Sequence, residues 1–323
     1  MTVEVYNPTL AAEWDRVAGE CRNATFLHLR GYMDYHSDRF EDMSLVARDD
    51  RGRIIALLPA NRRGDVLESH GGLTYGGWLM TPRADMIAMM AVWERMTELL
   101  KASGIRQLIY KPVPHIYHKF PAEEDLYAMW RAGGELDNVL VSSVIDMSNI
   151  LGFDMSARRK VRKAVDAGVK AGLSDDWEGY WQVLEDRLRR AHNTRPVHSL
   201  AEMELLHSRF PENIKLYTAV RDDLIVSGVV MYITDTTMHC QYIASSDLGL
   251  EINALPLLFL HILSEADPGI RYFDFGTSNE DHGLFLNEGL IRQKASFGSR
   301  AVAYMSYKIN LNADIIDESS AES

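Results

Sequence analysis

The sequence predicts a mixed α/β protein built as two tandem domains. Three observations carry the prediction. Short strand patterns alternate with helical ones along the 323 residues, a β-β-β-α-β-α-β order occurs in both halves, and one strongly basic amphipathic segment separates them. In the first half, M-S-L-V-A-R-D at 43–49 and I-I-A-L-L-P-A at 54–60 read as strands joined by the turn D-D-R-G. A third strand is expected through the glycine-rich segment 68–78. An amphipathic helix over 84–102 then ends near Gly104, and the strand R-Q-L-I-Y-K-P follows.

The second half repeats the order. K-L-Y-T-A-V-R pairs with I-V-S-G-V-V-M-Y-I-T across R-D-D, and M-H-C-Q-Y-I-A-S supplies the next strand. A helix over 254–266, the strand R-Y-F-D-F-G, a helix over 283–296 and the strand A-V-A-Y-M-S-Y-K-I complete it. The expected domains are 1–150, a basic connecting helix at 151–175, and 176–323.

Composition narrows the function classes. The chain is 46% hydrophobic and 25% charged, as ordinary globular proteins are. Its longest apolar run, L-P-L-L-F-L-H-I-L at 255–263, is half the length of a membrane span, so no transmembrane segment is expected. The amino terminus M-T-V-E-V-Y-N lacks a signal-peptide pattern, and Cys21 and Cys240 are too few for a disulfide framework. The expected location is the cytoplasm. A net charge of -12 argues against a protein whose main affinity is for nucleic-acid backbone.

One segment departs from that balance. Residues 156–172 carry six basic side chains against Asp166 alone. On a helix, Val161, Val165 and Val169 form an apolar stripe to dock, with Arg159, Lys160 and Lys163 presented outward. The cations serve either as a solvated face or as contacts to a phosphate-bearing ligand. A second unusual stretch, E-S-H-G-G-L-T-Y-G-G-W at 68–78, sets His70 and Tyr75 among four glycines. Glycine suits either a bent strand or a backbone that a ligand approaches closely. On the second reading His70 and Tyr75 contact substrate, and Lys111 is a further candidate for substrate contact. H-I-Y-H at 115–118 lacks a third ligand, and no metal site is expected.

The residues also resemble a known family. G-L-I-R-Q-K-A-S-F-G at 289–298 is similar to the element G-L-x-x-x-K-x-x-F-G, with F-D-F-G-T-S-N-E at 273–280 and L-N-E-G-L at 286–290 beside it. The second half resembles GNAT-like acyltransferases, and the whole chain resembles the Fem-type branch, in which two such domains stand in tandem. The resemblance implies two mixed, mostly antiparallel sheets flanked by helices, and an N-acyltransferase. It implies transfer of an acyl or aminoacyl group to an amine of a cell-surface polymer precursor, an amino sugar or muropeptide, nucleotide- or lipid-linked. The donor is acyl-CoA or aminoacyl-tRNA, with no permanently bound cofactor. Two departures bear on the donor and acceptor. Where coenzyme A-binding members have a compact glycine loop, this chain reads S-S-D-L-G-L-E-I-N-A-L with Asp247 and Glu251. Where Fem-type proteins have an aromatic and then a phosphate-binding lysine, it has Tyr32 and His36, a pH-dependent cation.

Amide formation needs a neutral amine, a carbonyl held about 3 Å away and donors aimed at the developing oxyanion. Lys294 suits the oxyanion or a leaving hydroxyl, or else caps its helix. Tyr242 suits leaving-group protonation, and Asp274 or Glu280 suits proton abstraction. Ser278, on the loop past Gly276, and Arg195, after the helix at 177–191, suit substrate contact. Two alternatives stay open: acetyl-CoA-dependent N-acetylation of a small amine, and a non-catalytic ligand-binding protein of the same fold. Oligomeric state is not legible.

Overall fold

The computed structural model describes residues 1–311. It divides into two compact units, Met1–Val139 with the chain from Ala303 onward, and Leu140–Val302.

The first unit opens with β1 (Thr2–Val5), α1 (Ala11–Glu20) and the short α2 (Arg30–Met33). Six strands follow: β2 (Glu41–Asp42), β3 (Leu45–Arg48), β4 (Ile54–Leu58), β5 (Asn61–Arg63), β6 (Val66–Glu68) and β7 (Leu79–Met80). α3 (Met86–Ala102), β8 (Gln107–Tyr110) and α4 (Glu124–Arg131) come next. β3 and β4 pair antiparallel across the expected turn, where Gly52 takes φ 76°. β1, β3, β4 and β7 form one sheet. Asp85 caps α3 by accepting from the Ala88 amide, and Gly104 ends it at φ 76°. Between these signals α3 buries Val92, Trp93, Met96 and Leu100, spaced as one face of a helix requires. β6 and β8 run parallel from Val66↔Gln107 to Glu68↔Ile109.

β9 (Glu135–Asp146) leads into the second unit, which continues through α5 (Met155–Asp166), β10 (Lys170–Ser174), α6 (Trp177–His192) and α7 (Leu200–Arg209). Then come β11 (Ile214–Arg221), β12 (Leu224–Ile233), β13 (Thr237–Ser245), α8 (Asp247–Ile252), α9 (Ala254–Ser264) and β14 (Tyr272–Thr277). β15 (Asn279–Glu280), β16 (Phe285–Leu286) and α10 (Glu288–Ser296) precede β17 (Arg300–Asn310), whose part from Ala303 onward lies in the first unit and pairs antiparallel with β8 over Tyr307–Asn310. Within the second unit the strands lie in the order β10-β11-β12-β13-β14-β9, with β13 and β14 parallel and the other neighbours antiparallel. The second unit is thus a mixed, mostly antiparallel sheet with helices, and the first holds the four-stranded antiparallel sheet beside a mixed set in the order β17-β8-β6-β5-β2; both are of the class the sequence predicts. In both, a parallel pair brackets a helix, as a strand-helix-strand crossover requires.

One face of the second sheet holds an aromatic core. Phe259 of α9 stands edge-on to Phe273 and Phe275 of β14, and Phe297 closes the cluster at 5.3 Å from Phe259. Phe273 and Phe275 both face this core because strand side chains alternate, so Asp274 between them must face the other way.

Several sequence expectations need correction. The segment 68–78 is not a strand but a loop between β6 and β7, because Ser69, His70 and the glycines turn back on one another. The basic helix ends at Asp166 and docks by Ala157, Val161 and Ala164, while Val165 is exposed. Its i, i+4, i+7 stripe runs through alanines because α5 packs closely against α9. Val169 is buried after Gly168 has already ended the helix at φ 76°. The last helix begins at Glu288 on the Asn287 cap, five residues later than expected, because 279–286 form a small hairpin. A short helix, α8, precedes α9, separated by Asn253 at φ 60°.

Candidate active site

β13 and β14 pair for three residues, Thr237↔Tyr272, Met238↔Phe273 and His239↔Asp274. Beyond His239 the pairing stops. On the other side, β13 meets β12 with an extra residue: Met231 opposes Cys240, Val230 opposes Tyr242, and Gln241 is the bulge. Cross-strand partners share a face, so the bulge returns Tyr242 to the face of His239, opposite the aromatic core.

Asp274 is fully buried, and its position is fixed by three donors. Ser142 donates its hydroxyl to Oδ1, the Gly276 amide donates to Oδ1 at 2.8 Å, and His239 Nδ1 lies 2.8 Å from Oδ2. A carboxylate on Nδ1 fixes the ring and the tautomer, placing the proton on Nδ1 and the lone pair on Nε2. The His239 side chain keeps 15% of its surface, so a buried carboxylate orients a partly accessible base. Gly276 takes φ 77°, which turns the chain just past Asp274 so that its amide can reach back.

Lys294 holds the other side of that turn. Its ammonium donates to the carbonyls of Gly276 and Thr277 at 2.8 and 2.9 Å and to Ser278 Oγ at 3.0 Å. Three acceptors match the three donors of an ammonium. Burial lowers its pKa to about 8, against the pull of Cys240 and Asp274 in the other direction. Phe297 fills the aromatic core, and a Cβ on Gly298, which takes φ 92°, would stand 2.8 Å from the Gly152 carbonyl, where it would not fit. The motif at 289–298 therefore holds the end of β14 and closes the core.

Tyr242 is half-buried, its hydroxyl 2.6 Å from His198 Nδ1 and its ring 5.5 Å from Trp181. Burial raises its pKa. Ser278 is buried beside Lys294. Glu280 is exposed on the hairpin and accepts from Asn287, so Asp274 and Glu280 occupy different environments. Arg195 is exposed on the loop after α6. Arg159 and Lys163 are exposed on α5, and Lys160 is half-buried.

The remaining candidates lie in the first unit. Lys111 donates to the carbonyls of His70 and Leu73, both at 2.9 Å, and burial lowers its pKa to about 8. His70 is buried at φ 49°, with a pKa lowered to about 3 by burial and by His36. His36 is buried, stacked on Tyr35 and 5.5 Å from the His70 ring. Tyr75 is buried against Tyr117 at 4.5 Å. The glycines of this loop meet the protein itself. A Cβ on Gly72 would strike His36 Nε2, one on Gly76 would strike the Ser69 carbonyl, and Gly77 needs φ 68°.

Of the residues singled out from the sequence, Asp274 and Lys294 meet at the turn after β14, and the structure sets His239 and Ser142, which the sequence reading did not single out, against Asp274. The only local signal for His239 was a polar residue alternating with Met238 and Cys240 on a strand.

Residues 155–282 match the family model for the acetyltransferase (GNAT) domain, so the second unit carries an acyltransferase domain of the GNAT type, with His239 and Asp274 inside the matched span. The solved structure of FemX is similar over 97% of this chain and 98% of its own, at 13% identity and a TM-score of 0.68. The C-terminal domain of a putative lysylphosphatidylglycerol synthetase from Agrobacterium fabrum is similar over 94% and 92%, at 13% identity and a TM-score of 0.61. L-PGS from Bacillus licheniformis is similar over 93% and 91%, at 10% identity and 0.62. The chain therefore shares the fold of these structures, with the GNAT match over residues 155–282. No curated protein sequence matches the chain.

Proposed function

We propose that this acyltransferase moves an acyl or aminoacyl group to the amine of a cell-surface polymer precursor, an amino sugar or muropeptide, with His239 as the base. The observation that carries the reading is the His239–Asp274 pair at the point where β13 and β14 stop pairing. The amine nitrogen attacks the acyl carbonyl, and its proton passes to His239 Nε2 while Asp274 stabilises the imidazolium. The leaving thiolate or ribose oxygen then takes a proton, for which Tyr242 lies on the same face. Lys294 acts by holding the 276–278 turn, since its donors already have acceptors. Arg159, Lys160 and Lys163 contact phosphate of donor or acceptor, and Arg195 and Ser278 contact the acceptor.

Likeness to FemX and to a lysylphosphatidylglycerol synthetase supports an aminoacyl donor and an envelope acceptor. The GNAT description of residues 155–282 supports an acyl-CoA donor and a small amine as the second reading. Against a standard coenzyme A grip, Gly249 is used for packing against Val226, and Asp247 pairs with Arg190 at 2.7 Å. The test is incubation with acetyl-CoA or charged tRNA and an amino sugar or muropeptide, followed by mass spectrometry of donor and acceptor. Amide product from either donor supports transfer and identifies the donor. Intact donor and acceptor in every combination would overturn the substrate reading.

A further inference from the structure

We propose that the second unit binds an anionic lipid surface through α5 and the loop that leads into it. Met155, Arg158, Arg162 and Val165 follow one another at spacings of three, four and three, so they line one flank of α5. That flank sets two cations between two apolar side chains, and both apolar ones face solvent, Met155 at 75% and Val165 at 55% exposure. Ile150 and Leu151, just before the helix, are exposed by more than half as well.

The charges on α5 are uncompensated. Among the described residues, none of its five cations, Arg158 to Lys160, Arg162 and Lys163, pairs with a carboxylate, although the chain as a whole has a net charge of -12. Arg158 and Lys163 donate instead to the neutral carbonyls of Phe153 and Glu251. Beside Arg158 opens a cavity of about 390 Å³ walled by Ile145, Ile150, Phe153, Leu260, Leu263 and Phe297. Cations alone fit any phosphate. Cations flanked by exposed apolar side chains beside an apolar cavity fit a phosphate that is carried on hydrocarbon, which is the chemistry of an anionic lipid. The inference rests on the reading of α5 as a phosphate-contacting helix and on no step of acyl transfer.

The test uses the full chain and sedimentation with vesicles of phosphatidylcholine alone or mixed with phosphatidylglycerol. Binding is expected to the mixed vesicles only, weakening as salt rises. Arg158→Gln with Arg162→Gln should weaken it about 25-fold, roughly fivefold per surface cation. Leu151→Ser with Met155→Ser should weaken it about tenfold or more, by loss of inserted apolar surface. All four positions are exposed, so melting temperatures should stay near the parental value. Equal retention by both vesicle types, or by neither, would overturn the proposal. So would full binding by the serine pair, the behaviour of a soluble-phosphate site, or sedimentation without vesicles, the behaviour of self-association. Because the assay reads no catalysis, its failure is distinct from failure of the acyltransferase reading.

Discussion

His239 and Asp274 are 35 residues apart in sequence, yet they sit in register on parallel β13 and β14 with Nδ1 and Oδ2 at 2.8 Å. The strand pairing delivers the pair, and the bulge at Gln241 brings Tyr242 to the same face.

If Asp274 acts by holding the tautomer of His239, Asp274→Asn should lower kcat by about 10² to 10⁴ with KM little changed. His239→Gln should do the same. Because the two act as a unit, the double variant should lose little more than either alone, measured by steady-state kinetics on a verified donor and acceptor. Losses that multiply would show two independent roles.

Lys294→Met removes the donors to two carbonyls and to Ser278. The two carbonyls left without donors cost about 1 to 3 kcal/mol each, so denaturant unfolding should show a loss of about 2 to 6 kcal/mol alongside lower activity. An oxyanion role for Lys294, by contrast, predicts a fall in kcat with stability intact. Unfolding midpoints of the variant separate the two.

Gly249 stands where a donor-gripping glycine was sought, but a Cβ there would collide with the Val226 carbonyl. Gly249→Ala should therefore destabilise the protein by about 1 to 3 kcal/mol or more through overpacking. Gly172→Ala on β10 is the control, since no atom lies within 4 Å of the added methyl. Equal midpoints for the two variants would refute the packing role of Gly249.

Burial holds His28 at a pKa of about 4 and His70 at about 3, both below the ordinary 6.5. The unfolded chain binds protons from pH 6.5 downward, while the folded one resists until about 4, so stability falls as pH drops through that window. The slope is about 1.4 kcal/mol per pH unit for each histidine. Replacing His28 with Gln should flatten the dependence of the unfolding midpoint between pH 6.5 and 4. An unchanged slope would mean that His28 already titrates normally in the folded state.

The sequence by itself determined the elements whose information is local. Turn chemistry at D-D-R-G and R-D-D, the caps of α3 and the alternation of F-D-F-G are written within a few residues, and so was the class of the fold. The resemblance carried by 273–298 marked Asp274 and Lys294 as residues of interest. What those side chains touch was decided only by the tertiary structure. Lys294 looked like a charge free to act, but its partners are backbone carbonyls of a turn 17 and 18 residues away that exists only once Gly276 has bent the chain. Val161, Val165 and Val169 formed the better apolar stripe on paper, yet close packing on α9 selected Ala157 and Ala164, because helix spacing constrains a face without choosing which one is buried. The glycines at 71–77 were legible as a close approach, but not what approaches: His36 and the Ser69 backbone of the protein itself. His239 was invisible for the same reason, since a lone polar strand residue acquires a role only when pairing register sets a carboxylate beside it.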